Sequence, residues 1–201
     1  MFEHGSQELI NLLDKVIGPE AHQLSGQTAL NVFAGFLFSG KARIKILNAL
    51  YVVLKKELVT FNLEELLQAS EVLSQLESFI PEFFPLVEPY LVHKLGSLTE
   101  QQLARLLPIY YSELFKVRYP ILDQLEGTLV RQMPAMHDEI VLPLFYFYAK
   151  NRVASANVIS AFLRRYAQAG DYAQLGGQQL VQLLVSVDMV GGDDTHKRQI
   201  L

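Results

Sequence analysis

The chain has 201 residues, 50% of them hydrophobic and 19% charged, with five histidines and no cysteine. That apolar content excludes a disordered chain, and the missing cysteines exclude disulfides, a thiolate nucleophile and thiolate-bound zinc. A net charge of -4 excludes a surface that is a polyanion trap throughout, so any contact with nucleic acid has to be local.

Leu24, Phe61, Leu98, Met136 and Leu175 open similar blocks, at successive spacings of 37, 37, 38 and 39 residues. A period of this length is the signature of a helical array. Five positions into the blocks stand Ala29, Leu66, Leu103, Val141 and Leu180, and 23 positions in stand Leu47, Phe84, Ile121 and Ile159. Three residues further on are Leu50, Val87, Gln124 and Phe162, where Gln124 breaks the pattern. Sustained period-2 alternation bounded by hairpin turns is missing, which argues against strands. The predicted fold is all-α, an α-solenoid of stacked helix pairs, in one domain over residues 1–201.

In chain order, a half repeat over 6–23 begins the pattern, with Ile10, Leu13 and Ile17 on the stripe of a lone second helix. Repeat 24–60 follows, its second helix carrying Ile44, Leu47, Leu50, Tyr51 and Leu54 on one face. Repeat 61–97 starts with Asn62 as cap and Glu65 three residues on, with Leu63, Leu66, Leu67 and Leu73 on the apolar stripe. Repeat 98–135 starts with Thr99 and Gln102, a capping-box pair, and continues with Leu103, Leu106, Leu107 and Tyr110. Repeat 136–174 puts His137 at the capping position and Val158, Ile159, Phe162, Leu163 and Tyr166 on its second helix, and a partial repeat spans 175–201. Pro81 and Pro120 fall at helix starts. Pro85, Pro89, Pro108 and Pro143 fall inside helices, which are expected to bend there. The partial repeats lead to the expectation that the sequence is a segment of a longer array, or that a partner covers its open ends.

The longest apolar stretches, 29–38 and 140–149, are ten residues each, half of the ~20 that a membrane-spanning helix needs, so no membrane span is expected. The first residues, MFEHGSQELINLLDKVIG, have neither a basic region leading into an apolar run nor the Arg and Ser enrichment of a transit peptide. No targeting segment is legible.

Chemistry is sparse. His4, His22, His93, His137 and His196 form no metal-ligand spacing, so neither a metal nor a cofactor is expected. His137-Asp138 has the form of a base and its orienter, but it stands where a helix cap belongs. Gly176-Gly177 and Gly191-Gly192 belong to no phosphate-loop pattern and read as loops. Glu64-Glu65 and Asp193-Asp194 read as helix starts placed to suit the dipole. The chain is therefore expected not to be an enzyme.

One charge distribution has a functional reading. The turn between the two helices of a block carries Lys41, Arg43 and Lys45, then Lys116 and Arg118, then Lys150 and Arg152, and finally Lys197 and Arg198; Glu77 and Glu82 interrupt the series in the second block. Equivalent turns of a solenoid share an edge, so these cations would form a discontinuous ridge able to follow a phosphate backbone. Phe115, Tyr119, Tyr146 and Tyr148 lie near it and could stack on bases, although aromatics at helical spacing more often fill a core. Arg164-Arg165 reads as a solvated face.

The two-helix unit, opening with Leu98-Thr99-Glu100-Gln101-Gln102-Leu103-Ala104-Arg105-Leu106-Leu107 and with Phe61-Asn62-Leu63-Glu64-Glu65-Leu66-Leu67-Gln68-Ala69, resembles the heptatricopeptide-type repeats of organellar proteins related to the FAST-kinase-like and RAP-domain groups. The octotricopeptide repeats are similar in length. The resemblance covers nearly the whole chain. It implies a non-catalytic helical-repeat module in mitochondrial RNA metabolism, one that binds single-stranded RNA or scaffolds an RNA-processing or ribosome-related assembly, with no DNA partner. A pure protein–protein scaffold, docking partner helices in its apolar groove and at its open ends, stands beside it as the alternative.

Overall fold

The computed structural model describes residues 15–17, 19–39, 43–112, 118–153, 155–167 and 174–191. Among them there are nine α-helices and no strand, so the fold is all-α. The helices are α1 (Gly26–Phe38), α2 (Ile44–Glu57), α3 (Leu63–Leu73), α4 (Ile80–Val92), α5 (Glu100–Tyr110), α6 (Ile121–Gln132), α7 (Asp138–Asn151), α8 (Ala156–Arg165) and α9 (Gly177–Met189). Each predicted repeat from 24 to 174 holds two of them and the partial repeat holds α9. Of the half repeat, residues 15–17 and 19–20 are helical, while Ile10 and Leu13 lie outside the described residues, as do the last ten residues.

A common junction opens the repeats. A short 3-10 turn, at Ala21–Gln23, Leu58–Thr60, Leu95–Ser97 or Met133–Ala135, immediately precedes each of the first four opening residues. The N–H of the opening residue donates to the first carbonyl of that turn, at 3.1 Å for Leu24, 3.2 Å for Phe61, 3.4 Å for Leu98 and 3.3 Å for Met136. Each opener is itself extended, and Phe61, Leu98 and Met136 are buried. A polar residue then starts the helix. Asn62 and Glu65 exchange two bonds, of 3.1 and 2.7 Å, and Thr99 and Gln102 exchange two of 3.3 and 3.0 Å, so the predicted capping boxes form. Ser25 caps α1 and Ser155 caps α8 through their hydroxyls.

The apolar offsets fill the core. Ala29, Leu66, Leu103 and Val141 are buried, and so are Leu47, Phe84 and Ile121. In the repeat that opens at Met136 Val158 is buried and Ile159 only half-buried, while Phe162, at the offset of Leu50 and Val87, is buried as they are. Where Gln124 breaks the pattern it is exposed, and Leu125 beside it takes the core place. The buried serines are satisfied within their own helices: Ser70 donates to the Leu66 carbonyl and Ser186 to that of Gln182, each at 2.8 Å.

Two packing units emerge, residues 1–91 and 92–201. In the first, α1 packs on both α2 and α3, and Phe79 joins Phe33 and Tyr51 with ring centroids 5.6 and 4.8 Å apart. In the second, α5 packs on α6 and α7, α6 on α8, and α7 on α8 and α9. Phe145 and Phe162 stack there at 4.7 Å. Pro120 directly precedes α6 and Pro81 is the second residue of α4, as expected of prolines at helix starts. The helices α4, α5 and α7 continue through Pro85 and Pro89, Pro108 and Pro143 respectively. No described helix is long and apolar enough to cross a membrane.

Two glycines of α1 make opposite demands. A Cβ on Gly26 would collide with the Phe61 ring and come within 2.8 Å of Glu57 Cβ, so the start of α1 is glycine because the next repeat's opener presses on it. A Cβ on Gly35 would meet nothing within 4 Å. In urea denaturation, Gly26→Ala is expected to destabilise by about 1–3 kcal/mol through overpacking, and Gly35→Ala to stabilise by up to about 1 kcal/mol through helix propensity.

Candidate functional site

The basic positions of the expected ridge fall into separate local settings. Lys41 and Lys116 lie outside the described residues, as do Lys197, Arg198 and Phe115. Arg43 and Lys45 are exposed at the N-terminal end of α2, Arg43 as the residue preceding the helix. Lys150 and Arg152 are exposed at the C-terminal end of α7, which the helix dipole favours. Lys150 Nζ lies 5.9 Å from the Tyr146 ring centroid, and Arg152 adopts the left-handed conformation that ends the helix, with φ 53°. The first pair belongs to residues 1–91 and the second to residues 92–201.

Arg118 has internal partners. Its guanidinium is 2.6 Å from Asp123 and 3.5 Å from Glu126, both on α6. Glu126 is a buried carboxylate that also accepts the Tyr111 hydroxyl, and a buried charge of this kind requires a counter-ion. Arg118, Glu126, Gly127, Asn157 and Arg164 border a cleft of about 390 Å³ between α6 and α8. Two of the aromatics near the ridge are core residues: Tyr119 and Tyr148 are buried, and burial, ahead of the charge on Glu126, pushes the Tyr148 phenol far up. Tyr146 is half-buried.

Arg165 departs from the expectation of a solvated face. It donates from Nη2 to the Met136 carbonyl at 2.6 Å and to Asp138 at 2.8 Å, and from Nη1 to the Met133 carbonyl. Tyr166 donates to the same Asp138 oxygen at 2.7 Å. The last turn of α8 thereby ties down the junction that opens its own repeat, and only Arg164 is left on the exposed side. Gln132 does the same for the preceding repeat, donating from the end of α6 to the Leu98 carbonyl at 3.1 Å.

His137 and Asp138 do not act on each other. Asp138 serves Arg165 and Tyr166, while His137 is turned to Glu100: its N–H donates to Oε2 at 2.8 Å and its Nδ1 lies 2.5 Å from Oε1. Glu100 therefore supplies the cap that the His137 side chain does not provide. Among the described residues, no three His, Asp or Glu side chains are grouped so as to hold a metal. No protein-family model matches the chain, and no curated protein matches it either.

The His137 backbone N–H, with its ring, holds Glu100 below the usual carboxylate value of 4.5. A depressed carboxylate contributes stability that is present above its unfolded pKa and lost as pH falls through the lower folded value. The urea midpoint of the wild type should therefore exceed that of Glu100→Gln most clearly above the usual carboxylate value of 4.5, and the gap should close as pH falls through the lower folded value. A gap independent of pH would show that the charge on Glu100 plays no part.

Proposed function

We propose that this chain is a non-catalytic helical-repeat scaffold, an α-solenoid of stacked helix pairs that docks an amphipathic helix of a partner protein. The stacked arrangement is supported by the shared junction at Leu24, Phe61, Leu98 and Met136, and by helices that pack with their counterparts one repeat away inside each unit. In this reading the assembly is a mitochondrial RNA-processing or ribosome-related one, on the strength of the repeat resemblance alone.

The observation that carries the docking reading is on α9. Val181, Val185 and Met189 stand at i, i+4 and i+8, one helix face, and are 61%, 37% and 40% exposed. Val181 is the seventh residue of its repeat. At that place in the earlier repeats Leu30, Leu67 and Leu142 are buried and Ala104 is half-buried. The place that the earlier repeats largely cover is thus open on α9 at Val181, where Val185 and Met189 extend it along one exposed apolar face, and a second amphipathic helix is the element whose shape and polarity suit it.

A second reading, contact with single-stranded RNA, has an observation of its own. Arg43 and Lys45 occupy the positive end of the α2 dipole, with no acidic residue in that first turn. Cations there forgo about 0.3–1 kcal/mol each. A phosphate bound at this end would offset that cost.

A photo-crosslinking residue placed at Val181 of the full chain in cells is expected to give protein adducts that survive nuclease and high salt. Nucleic-acid adducts alone, or none, would sink the docking reading. For the second reading, binding of oligouridine by fluorescence anisotropy from about 50 to 200 mM salt should weaken steeply, and weaken further in an Arg43→Glu, Lys45→Glu double variant. An unchanged affinity in that variant would remove α2 as the contact.

A further inference from the structure

A second opening lies within residues 1–91, between α2 and the start of α4. Its volume is about 450 Å³, and Ile44, Asn48, Val52, Lys55, Phe79 and Glu82 border it. Ile44, Asn48 and Val52 are one face of α2 at i, i+4 and i+8, and Ile44 and Val52 are 60% and 67% exposed. The cleft therefore shows branched aliphatic side chains to solvent on one wall, which is the composition of a binding groove.

Tyr51 also lines this cleft. It is 6% exposed, wedged against Phe79 at 4.8 Å between ring centroids, and its buried hydroxyl has no hydrogen-bond partner among the described residues. A buried donor left unpaired costs free energy that an acceptor would recover. Burial, together with the charge on Glu82, pushes the phenol up to about 12, so it remains a donor at neutral pH. Lys55 on α2 lies 5.5 Å from the Tyr51 ring centroid and reaches Glu82 on α4 at 3.3 Å, bridging the two walls. Both side chains of that pair are substantially exposed, so parting them costs little.

The chemistry of an occupant follows from these groups. Lys55, the cation lining the cleft, is already matched by Glu82, so an anion entering there would meet an uncompensated carboxylate. The walls favour an aliphatic side chain, and the orphaned hydroxyl favours a neutral acceptor. We infer that the cleft between α2 and α4 is a docking site for a neutral, leucine-bearing peptide segment of a partner protein, whose backbone carbonyl accepts the Tyr51 hydroxyl while its side chain lies on Ile44 and Val52. The Lys55–Glu82 pair swings aside to admit it. This inference rests on the protein-docking reading and gives it a second surface with a defined anchor.

The test uses the full chain and N-acetyl-leucine-N′-methylamide as probe, followed through the methyl resonances of Ile44 and Val52. The probe should give saturable shifts at both residues' methyls, and Val52→Asp should abolish the shift at Ile44. Tyr51→Phe should weaken probe binding about five-fold without lowering the melting temperature, because the hydroxyl it removes has no partner to lose. Absence of saturable shifts, equal affinity in Tyr51→Phe, or a lower melting temperature in that variant would each overturn the inference. So would oligouridine shifting the same methyls where the amide does not. If the amide fails while protein adducts still form at Val181, the cleft is removed and the docking reading stands.

Discussion

A chain of helix pairs has to leave one pair and enter the next without stranding backbone donors and acceptors, and at Leu24, Phe61, Leu98 and Met136 one shared device meets that constraint. The last turn tightens to 3-10, the opening residue swings to an extended conformation while its N–H still bonds back, and a polar side chain then receives the first N–H groups of the new helix. Burying an opener such as Phe61 contributes about 1.5–3 kcal/mol, against about 1 kcal/mol for a cap. The opener therefore sets the register and the cap trims the start. In the first helix of each complete repeat a core position falls at one fixed distance from the opener, at Ala29, Leu66, Leu103 and Val141, so one apolar anchor fixes which side of that helix turns inward.

Side chains of the second helices reinforce the same point in residues 92–201. Gln132 and Arg165 come from the ends of α6 and α8, and both return to carbonyls at the junction that begins their own repeat. Each repeat there is closed into a loop of interactions, its end tied to its beginning. Arg165 can be partly buried because Asp138 balances it, and Glu126 can be buried because Arg118 and Tyr111 do. Charges that look like surface decoration in the sequence are here the counter-ions of an interior.

Periodicity made the helix pairs and the two capping boxes readable, because apolar burial and capping impose the same residue types at every turn of the pattern. What occurs once leaves no such trace. Arg165 stands 29 residues after Met136, and the equivalents in the other repeats are Val53, Tyr90 and Gly127, so no recurrence marks its role. The exchange of Ile159 for Val158 leaves no trace either, because both are β-branched aliphatic residues and Phe162, three residues after Ile159, is buried at the expected offset. Gly26 is dictated by the Phe61 ring, a contact between residues 35 positions apart that composition cannot show. The cleft between α2 and α4 was hidden for a similar reason: Tyr51 belongs to the core stripe by spacing, and its unpartnered hydroxyl becomes visible only in the fold.

The bond between Glu100 and His137 spans 37 residues, one short of the Leu98–Met136 spacing, and joins the first helix of one repeat to the start of the next. The repeat that opens at Met136 thus borrows its N-terminal cap from its neighbour, whereas the one that opens at Leu98 carries its own in Thr99 and Gln102. Repeats in this chain are consequently not interchangeable bricks. Their order is written into the molecule, because moving the borrower next to a neighbour without a glutamate at the matching place would leave its first turn uncapped. A shuffled or shortened array would lose stability at that seam first, even though every individual helix kept its own sequence.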